Sequence, residues 1–202
     1  MIYKINMKKS LLTIIACLAL GCANVSAQNW LDALKGAATA AIDKATGGKL
    51  TEKAIIGTWK YAQPAVKLTS STNALSEVAS GAAASTLQSK IKPYYEKIGI
   101  KPGACTFVFK EDGTFSSTFG QRTSTGKYTF DAKTNQISLK YDSGLFNTKA
   151  ITAYAYINGS NLQLGFAMDK LLTIMTTLGS NIESLSLVTE LLKQYDGVKI
   201  GF

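Results

Sequence analysis

The fold class is decided by the stretch Ala54-Ile55-Ile56-Gly57-Thr58-Trp59-Lys60-Tyr61. Its β-branched and aromatic residues favour a strand. Gly57 and Trp59 are two residues apart, so both lie on the same face of that strand. We expect Gly57 to leave room for a close approach beside the chain. We expect Trp59 to fill an apolar pocket that also offers a partner for its indole N–H.

From Ala104 onward, apolar and polar residues alternate with a period of two as far as Phe166. The turn signals Glu111-Asp112-Gly113 and Asn158-Gly159 divide this region into short pieces. The pattern predicts a meander of antiparallel strands with one apolar and one polar face. A first strand over residues 55–68, bent at Pro64, and a last strand over 198–202 bring the count to eight. Such a sheet usually closes on itself, which removes its edges.

Three segments show helical rather than strand periodicity. Residues 28–50 form an N-terminal helical segment that Gly47-Gly48 ends. Residues 70–99 form a helical insertion between the first two strands, with kinks at Gly81 and Pro93. Its predicted inward stripe includes Leu87, Ile91, Tyr94 and Ile98.

The third helical segment covers residues 169–195, directly before the last strand. Asp169 is expected to cap its first helix, and Gly179 to end that helix. A second helix opens at a capping-box pattern, Ser180-Asn181-Ile182-Glu183. The predicted domains are therefore residues 1–27, the N-terminal helix at 28–50, and the barrel at 51–202.

Residues 1–27 have the pattern of a secretory signal. Lys8 and Lys9 precede the apolar run 11–20, and Val25-Ser26-Ala27 offers a small-residue cleavage site after Ala27. We therefore expect an exported protein, periplasmic or extracellular, with no transmembrane span in the mature chain. Ala19-Leu20-Gly21-Cys22 loosely resembles a bacterial lipobox, so an outer-membrane form lipid-anchored at Cys22 is the alternative.

The motif Gly57-Thr58-Trp59, the eight-strand meander and the helix before the terminal strand together resemble the lipocalin-like superfamily. The chain is most similar to exported lipocalin-like domains of unknown function from gut Bacteroidetes. The resemblance implies an eight-stranded antiparallel barrel over 51–202, open at one end, with Trp59 as a plug at the other and an apolar ligand cavity. Two features depart from the family pattern. Classical lipocalins place an arginine near the last strand against the tryptophan, whereas Arg122 is the only arginine here and is far from that strand. Many secreted lipocalins also carry a disulfide, whereas Cys105 is the only cysteine after residue 27, so no disulfide can form within the mature chain.

Catalytic and metal chemistry have little support in this sequence. Histidine is absent, which removes the commonest general base and excludes histidine-containing triads and zinc sites. The chain carries a net charge of +9, but its lysines are scattered rather than clustered with aromatic residues, so nucleic-acid binding is not predicted. The sequence therefore predicts that the protein is not an enzyme and has no catalytic residues, no metal and no cofactor.

Aromatic residues are the enriched feature of the predicted inner face. They fill a solid core in one interpretation and line a cavity for one small ligand in the other, since an eight-stranded barrel allows both. In the second, the protein binds a small apolar or amphipathic molecule outside the cytoplasm, with Tyr128 or Tyr141 offering a hydroxyl. The alternative is a solid-barrel interaction or envelope module that contacts partners, or itself, through its helices. The candidate ligand-lining residues are Phe107, Phe109, Phe115, Phe119, Tyr128, Phe130, Tyr141 and Phe166.

Overall fold

The computed structural model describes residues 38–67, 77–147, 149–179 and 199–202. The predicted signal at 1–27 and the predicted second helix at 180–195 lie outside the described residues. The helices are α1 (Ala38–Ala45), α2 (Lys49–Ala54), α3 (Glu77–Lys97) and α4 (Met168–Thr177). The strands are β1 (Gly57–Lys60), β2 (Ala65–Lys67), β3 (Cys105–Phe109), β4 (Thr114–Phe119), β5 (Arg122–Asp131), β6 (Gln136–Tyr141), β7 (Ala150–Asn158), β8 (Asn161–Phe166) and β9 (Lys199–Gly201).

All nine strands belong to one antiparallel sheet in the order β1-β3-β4-β5-β6-β7-β8-β9-β2. Its two outermost strands, β1 and β2, are joined by only the four residues 61–64. The sheet therefore curls into a half-barrel, which confirms the predicted lipocalin-like architecture. The predicted closure is incomplete, because β1 and β2 do not pair with each other within the described residues.

The described residues contain nine strands rather than the predicted eight, because the predicted first strand is divided. Tyr61 N still donates to Cys105 O at 2.9 Å, and the chain then leaves β3. Pro64 has no N–H for a ladder bond, and the chain resumes pairing at Ala65, opposite Gly201 of β9. The first half of the strand thus belongs to one side of the sheet and the second half to the other.

The inner face of the sheet carries the hydrophobic core. Buried and half-buried residues alternate along β3 and β4, as the period of two predicts. Two helices close over this core. From α3 come Leu87, Ile91 and Tyr95, and from α4 come Leu171, Ile174 and Met175, all buried in the same cluster.

Helix α3 confirms the predicted insertion, although residues 68–76 lie outside the described part of the chain. Pro93 is inside the helix. The sequence predicts Tyr94 in the inward stripe. In the structure Tyr95 is fully buried and Tyr94 half-buried, because Leu87, Ile91 and Tyr95 are spaced by four and so share one helix face.

Helix α4 differs from the prediction at its first turn. Asp169 was expected to cap it, but the helix begins at Met168 and Ala167 occupies the cap position without a side-chain hydrogen bond. Asp169 lies in the first turn, where its carboxylate is close to Lys170 Nζ at 2.8 Å. Gly179, with φ of 100°, follows the helix as expected.

Helices α1 and α2 are fixed to the barrel by a buried carboxylate. Gly47 and Gly48 break the helical segment at the predicted place, and α2 is an additional helix. Asp43 Oδ1 accepts from Thr51 N and Asp43 Oδ2 from Thr51 Oγ1, both at 2.8 Å. Asn135 Nδ2 donates to the same Oδ2 at 3.3 Å. The carboxylate therefore joins both helices to the β5–β6 turn.

None of the helices in the described ranges has the length and apolar character that a membrane crossing requires.

Candidate functional site

Six of the eight predicted ligand-lining residues are buried together on the inner face. Their rings pack against one another at centroid distances such as 6.2 Å for Phe107–Phe109 and 4.9 Å for Phe115–Tyr141. Tyr128 is half-buried with its ring against Phe109, and Phe130 is half-buried at the margin of the same cluster. The six buried residues are Phe107, Phe109, Phe115, Phe119, Tyr141 and Phe166.

The two hydroxyls predicted to orient a ligand already have partners within the protein. Tyr128 Oη donates to Lys110 O at 2.8 Å. Tyr141 Oη lies 3.2 Å from Ser117 Oγ, and burial raises the pKa of Tyr141 to about 12. Both hydroxyls therefore satisfy the protein's own polar groups.

Gly57 and Trp59 lie on the same face of β1, as predicted, and both are half-buried. The Trp59 indole finds its partner in Ile55 O, to which Nε1 donates at 2.8 Å. The ring packs against Ala54 and Ile157 as well as the main core. The room expected beside Gly57 is present, but no described residue comes within 4 Å of a Cβ built there. Glycine is needed instead for its φ of 142°.

A cleft opens where the sheet is incompletely paired. On the side facing β9, strand β8 is paired only from Leu164 to Phe166, and β1 has no described strand on its side away from β3. The gap between these edges is a cleft of about 750 Å³. It is lined by Thr58, Trp59, Lys60, Tyr61, Ala62, Gln63, Pro64, Ala65, Gln88, Asn158, Ser160, Asn161, Leu162, Gln163 and Phe202.

The cleft combines apolar rings with hydrogen-bonding groups. Trp59, Tyr61, Leu162 and Phe202 supply apolar surface, and five carboxamide side chains supply donors and acceptors. The five carboxamides belong to Gln63, Gln88, Asn158, Asn161 and Gln163.

Three of these carboxamides are free to bind something else. Within the described residues, Gln88 donates to Pro64 O and Asn161 to Asn158 O, whereas Gln63, Asn158 and Gln163 make no side-chain hydrogen bond. The backbone adds further groups. Leu164 N and O pair with Phe202 on the β9 side, so Leu162 N and O, two residues earlier, face the gap.

A buried tyrosine that packs on two residues of the cleft has a hydroxyl with no partner among the described residues. Tyr95 is 0% exposed, and its Oη has no hydrogen bond within the described part of the chain. Burial raises the pKa of Tyr95, and the neighbouring Tyr61 raises it further. Its ring packs on Tyr61 and Phe202, with centroids 6.3 and 5.8 Å away, and both of these residues line the cleft.

Cys105 is buried, as the sequence predicts, and burial raises its thiol pKa to about 11. Among the described residues, no three His, Cys, Asp or Glu side chains come together in a way that could hold a metal ion.

Most of the cleft was missed by sequence reasoning. Gln63, Gln88 and Gln163 stand on three separate segments, and no spacing in the sequence connects them. Tyr95 could have been found, because its spacing of four from Ile91 places it on the buried face of a helix.

A comparison with known protein families identifies a match. The family model described as Lipocalin-like domain (DUF4923) matches residues 32–202. No curated protein and no solved structure matches the chain. The matched range contains every described strand and the whole cleft. The chain therefore belongs to the lipocalin-like domain family DUF4923.

Proposed function

We propose that this lipocalin-like protein binds a small amphipathic molecule outside the cytoplasm, in the cleft between β1 and β8. The observation that carries the proposal is the cleft itself. Its volume of about 750 Å³ lies within the roughly 300–1,000 Å³ typical of small-molecule sites. It also has the mixture of apolar walls and few oriented polar groups that such sites use.

Burial of the ligand's apolar part against Trp59, Leu162 and Phe202 drives binding. Gln63 and Gln163 hydrogen-bond its hydroxyl or carboxyl groups, because their carboxamides have no described partner. Lys60 is the one charged residue in the lining and favours an anionic group over a cationic one.

Tyr95 serves as the deepest polar anchor in this proposal. Its ring packs on the rings of Tyr61 and Phe202, which line the cleft, and its hydroxyl gains a hydrogen bond when a ligand group passes between them. Tyr95→Phe removes only this hydroxyl. It should weaken binding of hydroxyl-bearing ligands by about tenfold, the effect of one net hydrogen bond. Equal affinity of the two proteins would remove Tyr95 from the site.

The binding experiment uses competition for a fluorescent fatty-acid analogue by unlabelled fatty acids, sterols and bile acids. Ala62 is exposed and lines the cleft, so Ala62→Trp fills the cleft without disturbing the core. Ala150 is also exposed, on β7 and outside the cleft, and Ala150→Trp is the matched control. Saturable binding that only Ala62→Trp abolishes supports the proposal. No saturable binding, or equal loss in both variants, contradicts it.

Export is part of the same proposal and rests on residues 1–27 of the sequence. Cleavage after Ala27 yields a free mature protein that begins at Gln28. Mass spectrometry of the protein from its native host gives the test. A mature form starting at Gln28 supports free export, and a lipid-modified form starting at Cys22 supports the anchored alternative. An uncleaved chain in the cytoplasm contradicts both.

A second candidate function is an interaction module, and the ring packing of the inner face favours it. Phe107, Phe119 and Phe202 contact one another with centroids 5.6 to 5.8 Å apart, as in a filled core. In this case the helices form the contact surface. Light scattering on the chain with and without residues 28–46 distinguishes the two functions. A lower oligomeric state after deletion supports the module, and an unchanged state argues against it.

A further inference from the structure

Two lysines and two tyrosines are paired on the outer face of the sheet, away from the cleft lining. Tyr154 and Tyr156 are two residues apart on β7 and so point to the same side. Lys67 of β2 lies directly opposite Lys199 of β9 in the sheet register. Lys67 Nζ is 3.2 Å from the ring centroid of Tyr156, and Lys199 Nζ is 3.6 Å from that of Tyr154.

Glycines on the intervening strands make this arrangement accessible. Gly165 of β8 is paired with Tyr154 on one side and with Gly201 of β9 on the other. A Cβ on Gly165 would lie 3.1 Å from Lys199 Cβ, so a larger side chain there would stand between Lys199 and Tyr154. The bare backbone lets the lysine side chain lie across the strand with its ammonium group over the ring.

The two ammonium groups are not neutralised within the described residues. Neither Lys67 nor Lys199 forms an ion pair there. Asp43 is the carboxylate close enough to affect Lys67, but its oxygens accept from Thr51 and Asn135. Burial, followed by repulsion from Lys199, lowers the pKa of Lys67 to about 8. A ring face stabilises an ammonium by only about 0.5–2 kcal/mol and leaves its outward N–H groups without acceptors.

We propose that Lys67 and Lys199 form a binding site for a phosphate group, held between the two ammonium groups on the platform of Tyr154 and Tyr156. Two adjacent positive charges match the double negative charge of a phosphate monoester, and each ammonium donates a charge-assisted hydrogen bond to a phosphate oxygen. The tyrosine rings hold both lysine side chains in place, which reduces the entropy lost on binding. The phosphate comes from a soluble phosphorylated molecule or from a lipid headgroup.

The chain contains a matched control for this site. Lys127 and Lys140 are also directly opposite each other, on β5 and β6, and both are exposed. Neither ammonium is placed over a tyrosine ring among the described residues. Any effect of phosphate that reflects net positive charge alone acts on both pairs equally.

The test measures binding of inorganic phosphate to the full chain at pH 7 by calorimetry, at constant ionic strength set with chloride. Saturable binding is expected, and Lys67→Met and Lys199→Met should each weaken it at least about tenfold, the loss of one charge-assisted hydrogen bond. Lys127→Met and Lys140→Met should leave it unchanged. Circular dichroism confirms that the variants are folded. No saturable binding, or equal weakening by both pairs, overturns the proposal.

Two further measurements are independent of binding heats. The first tests the site by NMR, and the second identifies the source of the phosphate by vesicle flotation. The proton titration of Lys67, followed by NMR of its ε-carbon, should shift to higher pH when phosphate is added, because the anion stabilises the ammonium. Flotation with vesicles of phosphatidic acid, but not of phosphatidylcholine, assigns the site to a lipid headgroup. Phosphate binding without flotation assigns it to a soluble molecule. A Lys67 titration that phosphate does not change contradicts the site.

Discussion

Replacing Asp43 with alanine tests whether a buried carboxylate holds the two N-terminal helices on the barrel. Asp43 is 7% exposed and accepts from both the backbone N–H and the hydroxyl of Thr51, which is itself 0% exposed. In Asp43→Ala both donors of Thr51 lose their acceptor inside the protein. Thr51 Oγ1 also accepts from Ile157 N at 3.3 Å, so the disturbance reaches β7.

The magnitude follows from these two donors. A buried donor left without a partner costs about 1–3 kcal/mol, and the Asp43 site lies close enough to the surface for partial relief by water. We therefore expect Asp43→Ala to reduce the free energy of unfolding by about 3 kcal/mol. With a urea dependence of about 2 kcal/mol per molar, the unfolding midpoint falls by about 1.5 M.

Asp112 offers a matched control, because its carboxylate also accepts from the backbone N–H and the hydroxyl of one threonine but is exposed to solvent. Its Oδ1 accepts from Thr114 N at 2.9 Å and Thr114 Oγ1 at 2.6 Å, and the carboxylate is fully exposed. Asp112→Ala should change the free energy of unfolding by no more than about 0.5 kcal/mol, as is usual for surface substitutions. Urea unfolding monitored by circular dichroism compares the two. Equal losses in both variants would refute the argument that burial decides the cost.

Three further predictions concern stability and reactivity. Gly48→Ala should reduce the free energy of unfolding by several kcal/mol, because φ is 81° and the new Cβ would overlap Ala132 O. Gly47→Ala, with nothing within 4 Å, should reduce it by only about 1 kcal/mol for its positive φ, and similar urea midpoints for the two variants would contradict this. Cys105 should resist iodoacetamide at pH 8 in the folded protein and react fully in urea, measured with the two cysteines of residues 1–27 replaced by serine. A pKa of about 11 leaves only about one thiol in a thousand ionised at that pH. Rapid labelling of the folded protein would show that the thiol is accessible. Trp59→Ala should reduce the free energy of unfolding by about 2 kcal/mol, below the 3–5 kcal/mol of a fully buried tryptophan, because the ring is half-buried. A reduction above about 4 kcal/mol would show that the ring seals the barrel end completely.

Local patterns determined most of the sheet. The period of two from Cys105 to Phe166 predicts the meander, because each strand pairs with the next and the side-chain pattern alone sets which face is buried. The burial of Phe109 and Phe115 follows from the same alternation. The sequence also predicts the bend at Pro64, since proline lacks the N–H that a ladder needs. It does not predict that the bend sends the two halves of the strand to opposite ends of the sheet.

The candidate cleft was decided by tertiary structure. It exists because β9 pairs with only the last residues of β8 while β1 pairs only with β3, and neither fact has a local signal. Its lining comes from β1, residues 61–65, α3, the β7–β8 hairpin and Phe202, which together span most of the described chain.

The lysine pair shows the same division between sequence and structure. Lys67 and Lys199 are two of the scattered lysines of the sequence, and no pattern in the sequence connects them. The bend at Pro64 carries β2 to the far edge of the sheet, beside β9, so two residues that are distant in sequence become directly opposite each other. Contacts of this kind depend on which strands meet, and pairing between distant strands is set by the packing of the whole core rather than by either strand alone.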